Sequence, residues 1–289
     1  MAPDSAGCDH SFMLLRNVSQ HMTYTIRPFL SAAMPGINKG MILTYLTDYD
    51  VDLEGPMVSY LITADDPDDD FVAVVDTGVD FDQVEQSGRT VTGGGEQPYI
   101  DFLDRFGYMP EDVDYVILTH LHYDHTGNNA MFPKAEILVQ RAEWEAIQDP
   151  LPTMERVYYQ ETLDELEELN LTLLDGGFRL REGVEFMHTP GHTQGLQTTL
   201  IETETVPHAI ISDLAYCRHN IEPGIDSMVD VNGDQVSVTS MDIDYIPPGL
   251  HVDVEDCYES IARVRDRIGE DGVMLGGHDA SVLNRVYPQ

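Results

Sequence analysis

A chain of 289 residues with 52 aspartates and glutamates against 15 lysines and arginines has a formal net charge of −37, which repels phosphate backbones and anionic bilayers and so excludes nucleic acid and membrane surfaces as expected partners. Its hydrophobic content of 42% is that of a globular protein, and the acidic residues are spread through apolar-patterned segments instead of forming a disordered tail. With Lys39 and Lys134 as its only lysines, the composition suits a salt-rich cytoplasm, where screening relieves the self-repulsion, and predicts a halophilic source.

Cys8, Cys217 and Cys257 are too few and too scattered for a disulfide framework or a CxxC metal site, and they fit a reducing cytoplasm. The opening "MAPDSAGCDHSFMLL" has no basic segment followed by a long apolar core, so no signal peptide is expected. No run approaches the roughly eighteen apolar residues that span a bilayer.

In chain order, residues 1–38 read as an N-terminal extension. Strands are predicted over 41–46 ("MILTYL"), 57–64 ("MVSYLITA") and 71–78 ("FVAVVDTG"), the last two closing a hairpin around the acidic run "DDPDDD" at 65–70. Residues 79–98 are Gly-rich and poorly patterned. The "GGG" at 93–95 lacks the lysine and the strand–helix setting of a phosphate loop. A helix is predicted over 99–108, with Ile100, Leu103 and Phe106 recurring and Gly107 as its stop. Strands follow over 114–119 and 135–140, then a helix through Trp144 and an acidic-faced helix over 163–169. Strands 184–189, 196–203 and 208–213 come next. Residues 218–249, with Pro223, Pro247 and Pro248, read as a long loop or insertion near the active site. An amphipathic helix over 254–268 presents Tyr258, Ile261, Val264 and Ile268 on one side, and a last buried strand covers 273–277. The mixture is α/β, with no repeat or linker, and reads as a single domain over 1–289.

The informative stretch is "VILTHLHYDHTGNN", 116–129. His120, His122, Asp124 and His125 fall at the end of an apolar strand, and a chance match with the chain's 11 histidines is on the order of one in several hundred. Past a strand end the chain turns, so His120 and His122 can meet one ion while Asp124 and His125 meet a second. Imidazole and carboxylate suit Zn first, with Fe, Mn or Co as alternatives. Four local donors do not complete two sites. His192 in "HTPGHTQG", Asp213 in "IISDLAY" and His278 in "LGGHDA" each follow a strand, and the Asp213 carboxylate can bridge. Five histidines and two aspartates suit two divalent ions sharing a water. Of the other histidines, His188 reads as a packing group, and His10, His21, His208, His219 and His251 as surface residues. Cys217 reads as a small buried side chain.

This set, with "VVDTG" before it and "TPGHT" after, resembles the metallo-β-lactamase superfamily of hydrolases from about residue 40 to the end. Within it the chain is most similar to the N-acyl homoserine lactonases, through "FGYMPEDVDYVILTHLHYDHTGN", "VQRAEWEA" and "TPGHTQGLQTTLIET". The resemblance implies a four-layer αββα sandwich, the metallo-β-lactamase fold, with a dimetal centre at one edge. It assigns His120, His122 and His192 to one ion, Asp124, His125 and His278 to the other, and Asp213 to both. Asp76 would be a supporting carboxylate and Tyr216 an active-site tyrosine. The implied reaction opens a lactone by attack of a metal-bridging hydroxide, with Tyr216 hydrogen-bonding the oxyanion and Asp124 relaying a proton to the leaving alkoxide. The segments 79–98 and 218–249 depart from the family pattern, so substrate preference is expected to reside there. Aspartate at position 213, where the best-known β-lactamases carry cysteine, argues against that activity. The alternatives are a thioesterase of the glyoxalase II kind, which would want more cationic groups, a carboxylesterase, and a non-catalytic metal-binding protein, which would usually have lost ligands. A homodimer is left open.

Overall fold

The computed structural model of the chain describes residues 22–289. Cys8, His10 and His21 lie outside the described residues. The longest strand, β1 (Tyr24–Asn38), falls inside the stretch expected as an N-terminal extension, which is thereby corrected. It pairs antiparallel with β2 (Asp52–Ala64), from Tyr24 opposite Ala64 to Asn38 opposite Asp52. Its signal is hidden because Pro28, Pro35 and Gly36 break the alternation. The pairing shifts register between Leu30 and Ala32 and again between Met34 and Ile37, as bulges allow.

The strand expected over 41–46 does not form. Lys39–Leu43 is one turn of π-type helix, capped by the Asn38 side chain, which accepts from Met41 N. Leu46 and Asp48 then adopt φ of 59° and 58°, which no strand accommodates. Met41 and Leu46 are exposed, so their apolar character marks no buried strand. The expected hairpin is present: β2 runs through the acidic loop into antiparallel β3 (Val72–Val75).

Residues 79–98 hold short elements: α1 (Phe81–Ser87), capped by Asp80 and stopped at Gly88 with φ 71°, then β4 (Thr92–Gly93), then the start of α2 (Gln97–Asp104). The buried side of α2 is Tyr99 and Leu103, whereas Ile100 and Phe106 are exposed, so the face expected for this helix is corrected. The chain continues through β5 (Tyr115–Ile117), β6 (Glu136–Gln140), α3 (Arg141–Gln148), α4 (Gln160–Glu167) and β7 (Leu171–Leu174). Strands β3, β5, β6 and β7 are mutually parallel, and the first sheet has the order β4-β1-β2-β3-β5-β6-β7.

The second half contributes β8 (Phe178–Arg181), β9 (Val184–His188), β10 (Gln197–Ile201) and β11 (His208–Ser212). Residues 218–249 contain α5 (Arg218–Ile221) and a small hairpin of β12 (Ser227–Val229) and β13 (Gln235–Ser237). They are followed by α6 (Val254–Ile268) and β14 (Val273–Gly276), which runs parallel to β11 and gives the order β14-β11-β10-β9-β8.

Successive side chains of a strand point to opposite faces, and this sorts the core. Tyr60 and Ile62 of β2 face inward with Ile117, Phe186, Ile210 and Leu275, filling the space between the sheets. Leu61 faces outward with Val74, Val116 and Ile137, under Tyr99, Leu103, Ile147 and Leu163 of the helices. On the other outer face Ile261, Val264 and Ile268 of α6 cover Leu200, Ala209 and Ile211. Each such aliphatic burial stabilises by about 1.5–3 kcal/mol. Tyr258 is exposed and Cys257 takes the buried place on α6. The layers are helix, sheet, sheet, helix: the αββα sandwich expected. The last residues return to the first strand, where Tyr287 and Ile26 exchange backbone hydrogen bonds of 2.8 Å in both directions. No described helix is long and apolar enough to cross a membrane.

Candidate metal centre

The site is assembled where β5, β9, β11 and β14 give way to loops. Asp76, just beyond β3, sits at φ 62°, a conformation that costs a non-glycine residue on the order of 1 kcal/mol. Its buried carboxylate accepts from Thr119 N (2.8 Å), from Thr119 Oγ1 and from His125 Nδ1 (2.7 Å). It therefore fixes the exit of β5 and the orientation of His125, as a supporting carboxylate should. The turn that follows is tight: a Cβ on Gly127 would lie 2.1 Å from Asp80 N, so this position of "HTGNN" admits only glycine.

All seven residues singled out as donors converge here. His120 Nε2 and His122 Nδ1 lie 3.3 Å and 3.0 Å from His192 Nε2. Asp213 Oδ2 is 3.7 Å from His120 Nε2, 3.5 Å from His192 Nε2 and 3.4 Å from His125 Nε2, while its Oδ1 is 3.3 Å from His278 Nε2. Asp124 approaches His125 Nε2 at 3.8 Å and His278 Nε2 at 3.7 Å. Three groups thus have their donor atoms within 4.8 Å of one another: His120 with His122 and His192, Asp124 with His125 and His278, and His120 with His125 and Asp213.

Four of the rings are oriented from behind. His125 Nδ1 donates to Asp76, His192 Nδ1 to Leu250 O (2.7 Å) and His278 Nδ1 to Pro56 O (2.7 Å). The Thr119 hydroxyl, itself donating to Asp76, accepts from His120 Nδ1 (3.1 Å). That leaves each Nε2 lone pair aimed inward, the arrangement metal-binding histidines adopt. His122 is reversed: its Nδ1 faces the centre, and its ring packs edge-on against Tyr158 at 4.8 Å.

Do these donors fit ions? His125 Nε2, His278 Nε2 and Asp213 Oδ1 are buried and close together, yet have no hydrogen-bond partner. Leaving such groups unpaired costs about 1–3 kcal/mol each. A cation among them removes that penalty. The nitrogen spacings of 3.0–3.3 Å are close to the edge, about 3.3 Å, of a tetrahedron whose nitrogens stand about 2.0 Å from zinc. The set fits two divalent ions.

The electrostatics agree. Burial pushes His120 and His122 far below the usual histidine range, with their neighbouring histidines adding to it, and lowers His192 as well. Burial is the largest influence on His125 and His278 and opposes their charge, but the carboxylates around them, Asp213 first, with Asp76 and Asp124 for His125 and Asp124 for His278, together outweigh it and hold both above the usual range. Asp213 is itself held well below the carboxylate range, against its burial, by His278 and His125. Tyr216 is buried with its hydroxyl 3.5 Å from His192 Nδ1, and burial together with Asp213 and Asp124 raises its phenol far above the ordinary value. It stays protonated and can donate.

A cleft of about 260 Å³ reaches this centre, with Asp124, Asp213, Tyr216 and His278 in its lining. Met34, Ile37, Leu43, Met57 and Leu250 make its wall apolar. Arg89, from the 79–98 stretch, contributes a guanidinium 4.3 Å over the Tyr123 ring, donating to Tyr159 OH at 2.8 Å. The 218–249 segment does not line the cleft but braces its wall, since Asn220 Nδ2 donates to Leu43 O (2.7 Å).

His219 is buried, not on the surface as expected: its Nδ1 accepts from Lys39 Nζ at 2.7 Å. His208 is buried too, its Nδ1 donating to Val206 O. His188 donates to Gln194 O, and His251, partly exposed, to Pro248 O. Cys217 and Cys257 are buried and unbridged. Sequence reasoning passed over Lys39, Arg89, Tyr158 and Glu143. Only Glu143 carried a signal: it shares the buried face of α3 with Ala146 and Ile147, at three- and four-residue steps, so a carboxylate occupies a core position.

Residues 54–206 match the family model described as the metallo-beta-lactamase superfamily. An N-acyl homoserine lactonase of Bacillus sp is 41% identical over 128 residues, 44% of this chain, and the chain spans about half (48%) of that relative's length. One from Bacillus thuringiensis is 32% identical over 198 residues, covering 67% of this chain and 68% of its own. A solved N-acyl homoserine lactone hydrolase, with the product N-hexanoyl-L-homoserine at its catalytic metal centre, superposes with a TM-score of 0.68 at 26% identity, covering 93% of this chain and 98% of its own. By its fold, its histidine–aspartate cluster and these matches, the chain belongs to the metallo-β-lactamase superfamily.

Proposed function

We propose that this protein is a dimetal hydrolase that opens the ring of N-acyl homoserine lactones or closely similar lactones. The observation that carries the reading is the pair of donor triads sharing Asp213 beside an apolar cleft. The names of the relatives support the substrate class. His120, His122 and His192 would hold one ion and Asp124, His125 and His278 the other, with Asp213 between them. Zinc is the metal we favour from the nitrogen-rich set. Such a pair of ions, when bound, supplies an activated water and Lewis-acid polarisation of the substrate carbonyl.

The chain's own groups do the rest. The Tyr216 hydroxyl, protonated and fixed beside His192, donates to the carbonyl oxygen as negative charge develops there. Asp124 is the more solvent-accessible of the two aspartates and reaches the cleft, where its carboxylate can take the proton that the attacking water gives up and pass it to the leaving alkoxide. The apolar wall takes an acyl chain and keeps bulk water from the reacting ester. We further infer a cytoplasmic setting in a salt-loving host, on the strength of the net charge and the sparse cysteines, of which Cys217 and Cys257 are unbridged.

The test is a substrate panel in high salt with zinc-reconstituted protein: acyl-homoserine lactones of several chain lengths, a plain γ-lactone, an aryl ester and a glutathione thioester. The lactones should turn over fastest. Tyr216→Phe should lower kcat by about 10²-fold with the zinc content unchanged. Faster hydrolysis of the thioester, or activity that survives complete metal removal, would refute the reading.

A further inference from the structure

Glu143 is fully buried, although it lies outside the donor cluster. Its Oε1 accepts from Leu121 N (3.0 Å) and from Tyr158 OH (2.9 Å), and its Oε2 accepts from Gly195 N (3.0 Å). Each of these donors leads to the first triad. Leu121 is the residue between His120 and His122. Gly195 lies three residues beyond His192, in the loop that carries it. Tyr158 packs its ring against the ring of His122. The approach is close: a Cβ on Gly195 would lie 2.1 Å from Glu143 N and 2.4 Å from its Cα, so the His192 loop rests directly on the start of α3.

We propose that Glu143 is a positioning residue for one of the two metal sites, clamping the loop of His120 and His122 to the loop of His192 so that three imidazole nitrogens are held at one point. This rests on the reading of those histidines as ligands. The residue type follows from the contacts. All three groups hydrogen-bonded to it are donors, two N–H and one O–H, and a carboxylate is a side chain with two acceptors and no donor. Glutamine has nearly the same shape but must turn its NH₂ toward one of the three. With Leu121 N and Tyr158 OH sharing one oxygen, the NH₂ falls against Gly195 N, and the tie between the loops is cut. Among the described residues no such clamp spans Asp124, His125 and His278; His125 is oriented by Asp76 and His278 by Pro56 O instead.

The clamp therefore predicts a loss confined to one ion. Zinc should be titrated out of wild type, Glu143→Gln and Glu145→Gln by competition with a chromophoric chelator. The Glu145 variant changes an exposed neighbour on the same helix. In Glu143→Gln one of the two ions should weaken by about 10–100-fold, the usual effect of removing a group that orients ligands, while the other keeps its wild-type affinity. Glu145→Gln should match wild type. Unchanged affinity of both ions in folded Glu143→Gln overturns the proposal. So does an equal weakening of both that tracks a fall in Tm, which would make Glu143 a general stabiliser. Should Glu143→Gln not fold, Glu143→Asp carries the test, because it keeps the carboxylate but is one methylene too short to hold Leu121 N and Gly195 N together. It should weaken the same single ion, and unchanged binding there overturns the proposal equally. Failure of the wild-type protein to bind two ions is a separate result, and it refutes the ligand assignment instead.

Discussion

Asp213 shows how much one side chain can organise. Its two oxygens stand within 3.7 Å of four imidazole nitrogens, and it is the foremost of the carboxylates that lift His125 and His278 above the usual histidine range. Without ions those two histidines take up a proton more readily than a free imidazole does, in competition with a metal. The sign follows: lowering the pH fills these sites with protons, so metal affinity should fall with pH and zinc uptake should release protons. Calorimetric titration with zinc from about pH 6 to about pH 8, in buffers of different ionisation enthalpy, reads both quantities. A pH-independent affinity with no proton release would contradict the electrostatics described here. The seven donors were legible in the sequence because each follows an apolar strand, where a histidine or aspartate is out of place unless it has work to do. Glu143 was harder to see, since one buried carboxylate on a short helix looks like any amphipathic irregularity until its partners are known.

At the scale of elements, legibility followed range. The hairpin of β2 and β3, the parallel strands β5, β6 and β14, and α6 have their own periodicity and were predicted close to where they lie, whereas the parallel strand β7 was not predicted. The turn Lys39–Leu43 and the segment 218–249 do not, because distant contacts hold them. Lys39 is completely buried; its Nζ donates to Asp48 (2.7 Å), Thr44 (2.8 Å) and, 180 residues away, His219 (2.7 Å). Asp48 Oδ1 in turn accepts from Thr239 N and Oγ1. One of two lysines in the whole chain thus fastens the cleft wall to α5, which begins two residues after Tyr216. Lys39→Met would leave the Asp48 carboxylate buried without its cation, a change that typically costs about 3–5 kcal/mol. Chemical denaturation in high salt should show a loss of that order; a loss under about 1 kcal/mol would mean the contact is not holding the segment.

For the whole molecule, composition and fold answer different questions. The sandwich is specified by apolar alternation and would survive a different surface, whereas the charge of −37 sets the solvent in which it is stable. Screening lengths fall from about 10 Å in 0.1 M salt to about 3 Å in 1 M, so repulsion between neighbouring surface carboxylates should fade over that range. The melting temperature should therefore climb by several degrees as potassium chloride is raised through it, and a flat response would remove the argument from charge. The return of Tyr287 to Ile26 bears on the order of assembly. Six of the seven donor side chains have been synthesised by residue 213, but His278 arrives only with the final strand, which must dock beside β11 and be fastened down by that last bridge. His278 follows β14, so on the assignment proposed above the ion held by Asp124, His125 and His278 lacks one ligand until β14 has docked beside β11.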